Sequence, residues 1–130
     1  MIEMRSVTFA YGRKQPLFEQ LNVHLEPGTI YGLLGRNGAG KTTMLKLLSG
    51  LLFPQHGEIE VLGQDPAERL PALQEEILFI PEEFPTPPLK VHAYRSLYAP
   101  LYPRFSGEDF ARYLAEFEID AEAKMEEMSF

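Results

Sequence analysis

The segment Gly35-Arg36-Asn37-Gly38-Ala39-Gly40-Lys41-Thr42 constrains this chain more than any other part of it. It fits G-x-x-x-x-G-K-[ST] at every fixed position. The four fixed positions would coincide by accident in about one chain of this length in several hundred. The flanks agree with the motif. Thr29-Ile30-Tyr31-Gly32-Leu33-Leu34 reads as a short strand buried on both faces, and Thr42-Thr43-Met44-Leu45-Lys46-Leu47-Leu48 opens a helix with apolar positions at helical spacing that ends near Gly50. Strand, glycine loop and helix follow in the order a phosphate cradle needs.

The residue types follow from the chemistry of a polyphosphate, which needs many convergent donors. The main-chain N–H groups from Gly35, Arg36, Asn37, Gly38, Ala39 and Gly40 into the helix supply them, together with the positive end of the helix dipole. Side chains would block that approach, so Gly35, Gly38 and Gly40 are expected to take φ > 0 and let the backbone come close. Lys41 adds an ammonium for the β- and γ-phosphates. The Thr42 hydroxyl is placed to ligate Mg²⁺, and Thr43 to donate to the α-phosphate. The bland alternative is a glycine-rich turn that happens to precede a lysine.

Composition bounds the rest. At 130 residues the chain suffices for one domain with a core, and 45% apolar and 12% aromatic content favour a globular class. A net charge of −7 speaks against a broad nucleic-acid surface, because backbone binding depends on clustered Lys and Arg. Without cysteine there is no disulfide framework and no thiolate metal site, which fits a reducing cytosol. No apolar run approaches the roughly 20 residues that span a bilayer, and no signal peptide is visible, so a membrane role has to come through a partner.

Ile2 to Phe9 and Leu21 to Leu25 alternate like strands, and Pro27-Gly28 marks a turn, which gives the start an antiparallel character. Gly57 to Gly63 holds a half-buried strand. Asp65 caps a short helix with Pro66 at its first position, and Pro71 splits that helix. Ile77-Leu78-Phe79-Ile80 reads as another buried strand. The segment Pro81 to Pro88 carries four of the eleven prolines and is an extended hinge with an exposed Phe84. Beyond it everything is helical: Val91, Tyr94, Leu97, Tyr98 and Leu101 share one face, Ser106-Gly107-Glu108-Asp109 has the form of a capping box, and Phe110, Tyr113, Leu114 and Phe117 share another face. Asp120 starts a last short helix through Met128. The expected organisation is a nucleotide-binding core over 1–83, then the hinge and a helical subdomain over 84–130.

Tyr11-Gly12, Leu17 to Leu25, Pro27-Gly28, the eight-residue cradle, Leu48-Ser49-Gly50-Leu51 and Gly57-Glu58-Ile59 together resemble the opening half of an ATP-binding cassette (ABC) ATPase, the nucleotide-binding subunit of ABC transporters. The resemblance implies an α/β P-loop NTPase core with antiparallel N-terminal strands and the start of a helical subdomain. It implies ATP and Mg²⁺ as cofactors, with Tyr11 stacking on adenine. Glu82 stands where the family usually has a glutamine that reaches Mg²⁺ and the attacking water. An ionised carboxylate there can ligate a metal but cannot donate a hydrogen bond. The solvated-loop reading of Glu82 and Glu83 stays open beside it.

After Met128-Ser129, which looks like the first step of the family's Gly-Gln signature, the chain stops. The later aliphatic strand with its Asp and catalytic Glu, and the switch histidine, do not occur in it. The resemblance therefore implies a piece of a longer subunit that binds nucleotide at most. The whole would hydrolyse ATP as one half of a head-to-tail pair of ATPase subunits, in which Lys41 and Mg²⁺ stabilise the transferring charge, on a transmembrane permease at the cytoplasmic face. A soluble cassette ATPase acting on ribosomes or DNA, or a non-catalytic nucleotide-binding module, would carry the same residues. His24, His56 and His92 show no metal-ligand spacing. The acidic residues from Glu116 to Glu127 read as a solvated face, and Tyr94, Tyr98 and Tyr102 as helix packing or a partner stripe.

Overall fold

Met4, Val7 and Phe9 are all buried on one face of the first strand, although Met4 and Val7 are an odd number of residues apart. A regular strand would send them to opposite faces. In the computed structural model, which describes residues 1–12, 15–82 and 86–128, the conflict is resolved by a bulge: Ser6 takes φ 50° and pairing slips between Met4 and Val7. The N–H of Ser6 donates to Asn22 Oδ1 at 2.9 Å, and the Asn22 amide donates to the Gln20 carbonyl at 2.8 Å. An extra residue thus keeps the apolar set facing inward, with its backbone group satisfied by a side chain.

Strand β1 (Ile2–Phe9) is central, flanked antiparallel by β2 (Phe18–Leu25) and β3 (His56–Val61) in the order β2-β1-β3. Helix α1 (Lys41–Leu48) lays Leu47 and Leu48 against Met4, Val7, Phe9, Ile59 and Val61, and Leu73 of the short helix α2 (Pro71–Gln74) completes the core. Local signals set the boundaries. Gly50 at φ 67° ends the α1 region, and a Cβ there would lie 2.2 Å from the Pro66 carbonyl oxygen. Asp65 caps the 3₁₀ turn Pro66–Glu68 by accepting from the Ala67 N–H at 2.8 Å, and Pro71 begins α2 separately.

Two expected strands are not formed. Residues 29–34 and 77–80 have no strand pairing among the described residues, Ile30 is fully exposed at 100%, and Leu34, Leu78 and Ile80 are exposed at 93%, 69% and 72%. Their composition suits a strand buried on both faces. Such a strand is held by its neighbours, and here no neighbour pairs with either segment.

The chain divides into units 1–80 and 81–130. In the second, α3 (Val91–Tyr98) stops at a 3₁₀ turn containing Pro100, and α4 (Gly107–Glu116) is capped by Ser106, whose hydroxyl accepts from the Asp109 N–H at 3.0 Å. Tyr94 and Tyr98 stack at 4.2 Å, and Arg95 lies 5.8 Å from both the Phe105 and the Phe110 rings. The expected helix from Asp120 is only the 3₁₀ turn Met125–Glu127. Residues before it pair with the start of α3 instead: the N–H groups of Val91 and His92 donate to the carbonyls of Ala123 and Ala121, and Met125 N–H to the Leu89 carbonyl. The Lys90 ammonium meets Glu122 at 2.8 Å and holds its carboxyl below the usual range. Among the acidic residues of the tail, Glu122 is thus tied to a lysine. Of the proline hinge, Glu83, Phe84 and Pro85 lie outside the described residues, as does Ser129.

Candidate nucleotide-binding site

The loop preceding α1 is closed by a turn in which the Ala39 N–H donates to the Arg36 carbonyl at 3.1 Å. Gly38 and Gly40 have φ 81° and 96°, in the region that only glycine enters freely. Gly35 does not, so the expectation of positive φ at all three glycines is corrected to two. The two differ in kind. Nothing lies within 4 Å of a Cβ added to Gly38, whereas one at Gly40 would stand 2.6 Å from the Phe18 ring and 3.2 Å from Leu17. Leu17 is in place because its N–H donates to the Phe9 carbonyl at 2.7 Å, so the chain returning from β1 packs directly on the end of the loop. Local sequence reasoning missed Phe18 and Leu17, whose contact with Gly40 is long-range.

Gly40 is the N-cap of α1 and contributes no side chain, no side chain caps this helix end, and no acidic residue stands in its first turn. The roughly half positive charge of the helix terminus is therefore not neutralised by side chains. Lys41 folds back into the loop, where its ammonium donates to the carbonyls of Gly35 at 2.7 Å and Arg36 at 3.0 Å. Thr42 is exposed and Thr43 is buried. Arg36 and Asn37 stand on the exposed rim of the loop.

Tyr11 is brought to the same end of the helix. Its hydroxyl lies 3.0 Å from Thr43 Oγ1, and its ring meets Phe9 edge-on at 4.9 Å. The ring stays about half exposed at 48%. The hydroxyl pair occupies the group that sequence reasoning reserved for the α-phosphate, and the distance in sequence hid it.

Glu82 is exposed and belongs to the second unit, while Tyr11 and residues 35–43 belong to the first. Among the described residues no group of three or more His, Asp or Glu is arranged to hold a metal ion. His24 sits instead in a surface ion-pair network. Its Nε2 is 2.7 Å from Glu26 and its Nδ1 3.1 Å from Glu3, which raise its pKa above the ordinary imidazole value. Arg5 bonds Glu3 in turn, holding that carboxyl low, and reaches Glu58 and Glu60.

An antiparallel sheet carrying a glycine loop, an inward lysine and an uncapped helix end has the features of a nucleotide-binding domain. The chain belongs to the ABC transporter family, whose sequence model matches residues 18–129. It is 36% identical over 120 residues to the uncharacterized ABC transporter ATP-binding protein YkpA of Bacillus subtilis, an alignment covering 86% of this chain and 21% of that one. It is 33% identical over 132 residues to the ABC transporter ATP-binding protein YtrB of the same organism, covering 99% and 44%. A solved ATP-binding subunit of an ABC transporter has the same fold, with TM-score 0.81 and 25% identity over 98% of this chain and 55% of that one. The chain thus spans less than half the length of both relatives. The α/β class with antiparallel N-terminal strands agrees with that fold. Among the described residues no helix is long and apolar enough to cross a membrane.

Proposed function

We propose that this chain is the nucleotide-binding part of an ABC transporter ATPase subunit, and that Tyr11 and residues 35–43 form its MgATP site. The observation that carries the reading is the Lys41 ammonium, folded into a glycine loop at a helix end that no side chain caps. A cation, uncapped main-chain donors and no nearby carboxylate in the first turn suit a polyanion and little else. ATP, when bound, supplies the phosphoanhydride bond whose hydrolysis drives the family's transport cycle.

The chain's own residues divide the work. Main-chain N–H groups of the loop and of the first turn of α1 hold the phosphates, and Lys41 leaves the Gly35 and Arg36 carbonyls to face the β- and γ-oxygens. The exposed Thr42 hydroxyl offers one oxygen to Mg²⁺. The absence of a carboxylate cage among the described residues fits a metal that arrives on the phosphates and keeps much of its water. The half-exposed Tyr11 ring offers a face to adenine. Glu82, at the entry to the second unit, is the candidate to approach Mg²⁺ and water in the whole protein. That protein pairs with a second ATPase subunit and with a transmembrane permease at the cytoplasmic face of the membrane.

Calorimetry with Mg²⁺ separates this reading from adenine binding alone. ATP binds roughly a hundredfold or more tightly than AMP, which lacks the phosphates that several charge-assisted contacts would hold. Equal affinity for the two nucleotides would remove the cradle from the proposal.

A further inference from the structure

The contact between the Tyr11 hydroxyl and the Thr43 hydroxyl is not required by stacking or by phosphate binding. A stacking ring needs only its face, and a phenylalanine would offer one. Yet the Tyr11 hydroxyl lies 3.0 Å from Thr43 Oγ1 across 32 residues of sequence, at a threonine that is 93% buried with only 7% of its surface exposed. The same ring is braced on a second side by the edge-on contact with Phe9, itself buried in the sheet core. Two of its borders are thereby fixed, one to the sheet and one to the first turn of the helix, while about half of its surface remains open.

We infer that Thr43 is a positioning residue for Tyr11: the hydroxyl pair locks the ring at the rim of the phosphate loop, so that base and phosphates are received in a set geometry. The inference rests on the nucleotide site proposed above and assigns a role to the Tyr11 hydroxyl itself. Either oxygen can donate, and the pair is partly shielded from water, which strengthens it relative to an exposed one. Without the pair the ring keeps its edge contact with Phe9 but loses its tie to the helix, and has to be ordered when the nucleotide arrives. That is the ordering cost of one aromatic side chain, roughly a three- to tenfold loss of affinity. The loss falls on ligands that carry a base.

The test compares Mg²⁺-ATP with Mg²⁺-tripolyphosphate by calorimetry. Tyr11→Phe is expected to weaken ATP roughly three- to tenfold and to leave tripolyphosphate within about twofold of the unaltered protein. Thr43→Ser, which keeps the hydroxyl, is expected to retain ATP affinity. In a Thr43→Val background, Tyr11→Phe is expected to add nothing further to the loss of ATP binding. A merely structural role would weaken both ligands together, and that result, or a Tyr11→Phe protein that binds ATP normally, overturns the inference while leaving the nucleotide site standing. An unaltered protein that binds neither ligand overturns both. If Tyr11→Phe fails to fold, the Thr43→Ser and Thr43→Val pair decides: weaker ATP binding by Thr43→Val with tripolyphosphate unchanged is expected, whereas equal ATP affinity in the two, or a parallel loss of tripolyphosphate, contradicts the positioning role.

Discussion

Replacing Lys41 by alanine is expected to weaken nucleotide binding roughly ten- to hundredfold while leaving the fold intact. Among the described residues the ammonium bonds to the carbonyls of Gly35 and Arg36, both on an exposed loop, and Lys41 is not one of the core residues, so its removal takes nothing from the core. Toward a polyphosphate it is the mobile cation of the loop. A charge-assisted contact of this kind is worth about 1.5–3 kcal/mol, or roughly ten- to hundredfold in affinity. Lys46, in the last turn of the same helix, serves as the control, since its charge favours the C-terminal end of the dipole and lies away from the loop. Calorimetry checks the pair. Loss at Lys41→Ala with normal binding at Lys46→Ala is the expected pattern, and equal affinity in both would count against the site.

The second large effect concerns stability. Gly57 faces the bulge of β1, at φ 88°, and a Cβ there would sit 2.4 Å from the Ser6 carbonyl oxygen and 2.5 Å from that of Arg5. Both obstacles are backbone, so neither can rotate away. Gly57→Ala therefore combines a left-handed conformation for a residue with a side chain, about 1–2 kcal/mol, with overpacking of about 1–3 kcal/mol. The expected total, about 2–5 kcal/mol, is a large part of the ~5–15 kcal/mol that holds a domain together. Gly28→Ala is the comparison, because Gly28 has φ 73° but nothing within 4 Å of its Cβ. It should lose only the conformational part. Urea midpoints with unchanged slopes measure both. A Gly57→Ala protein as stable as Gly28→Ala would show that the bulge is not packed as described.

What could be read from the residues alone was what local chemistry decides. Asp65 before Pro66 and Ser106 before Glu108-Asp109 act as caps because the groups that satisfy one another are two or three residues apart. Ile2–Phe9 alternates enough to give its bounds, yet the bulge at Ser6 depends on Asn22 and Gly57 and has no local sign. The two expected strands at 29–34 and 77–80 fail for the complementary reason. Their apolar composition records a fate that needs neighbours, and among the described residues none pairs with them. The composition of the tail from Asp120 allows a helix, whereas its backbone groups are taken by residues 89–92.

The candidate site divides in the same way. The glycines, Lys41 and the uncapped helix end belong to a contiguous motif, so their proximity followed from the sequence. Phe18 over Gly40 and Tyr11 against Thr43 are joined only by the way β1 and β2 return to the helix, and periodicity carries no information about such contacts. Gly35 differs from Gly38 and Gly40. The motif requires a glycine at that position without requiring the left-handed conformation there.

A crystal structure of the protein with a non-hydrolysable ATP analogue and Mg²⁺ is the most direct test of the cradle. The expected result is phosphate oxygens about 2.7–3.2 Å from main-chain nitrogens of the loop and of the first turn of α1. The Lys41 ammonium should have turned from the Gly35 and Arg36 carbonyls to the phosphates. An analogue bound elsewhere, with Lys41 still on those carbonyls at saturating ligand, would contradict the account.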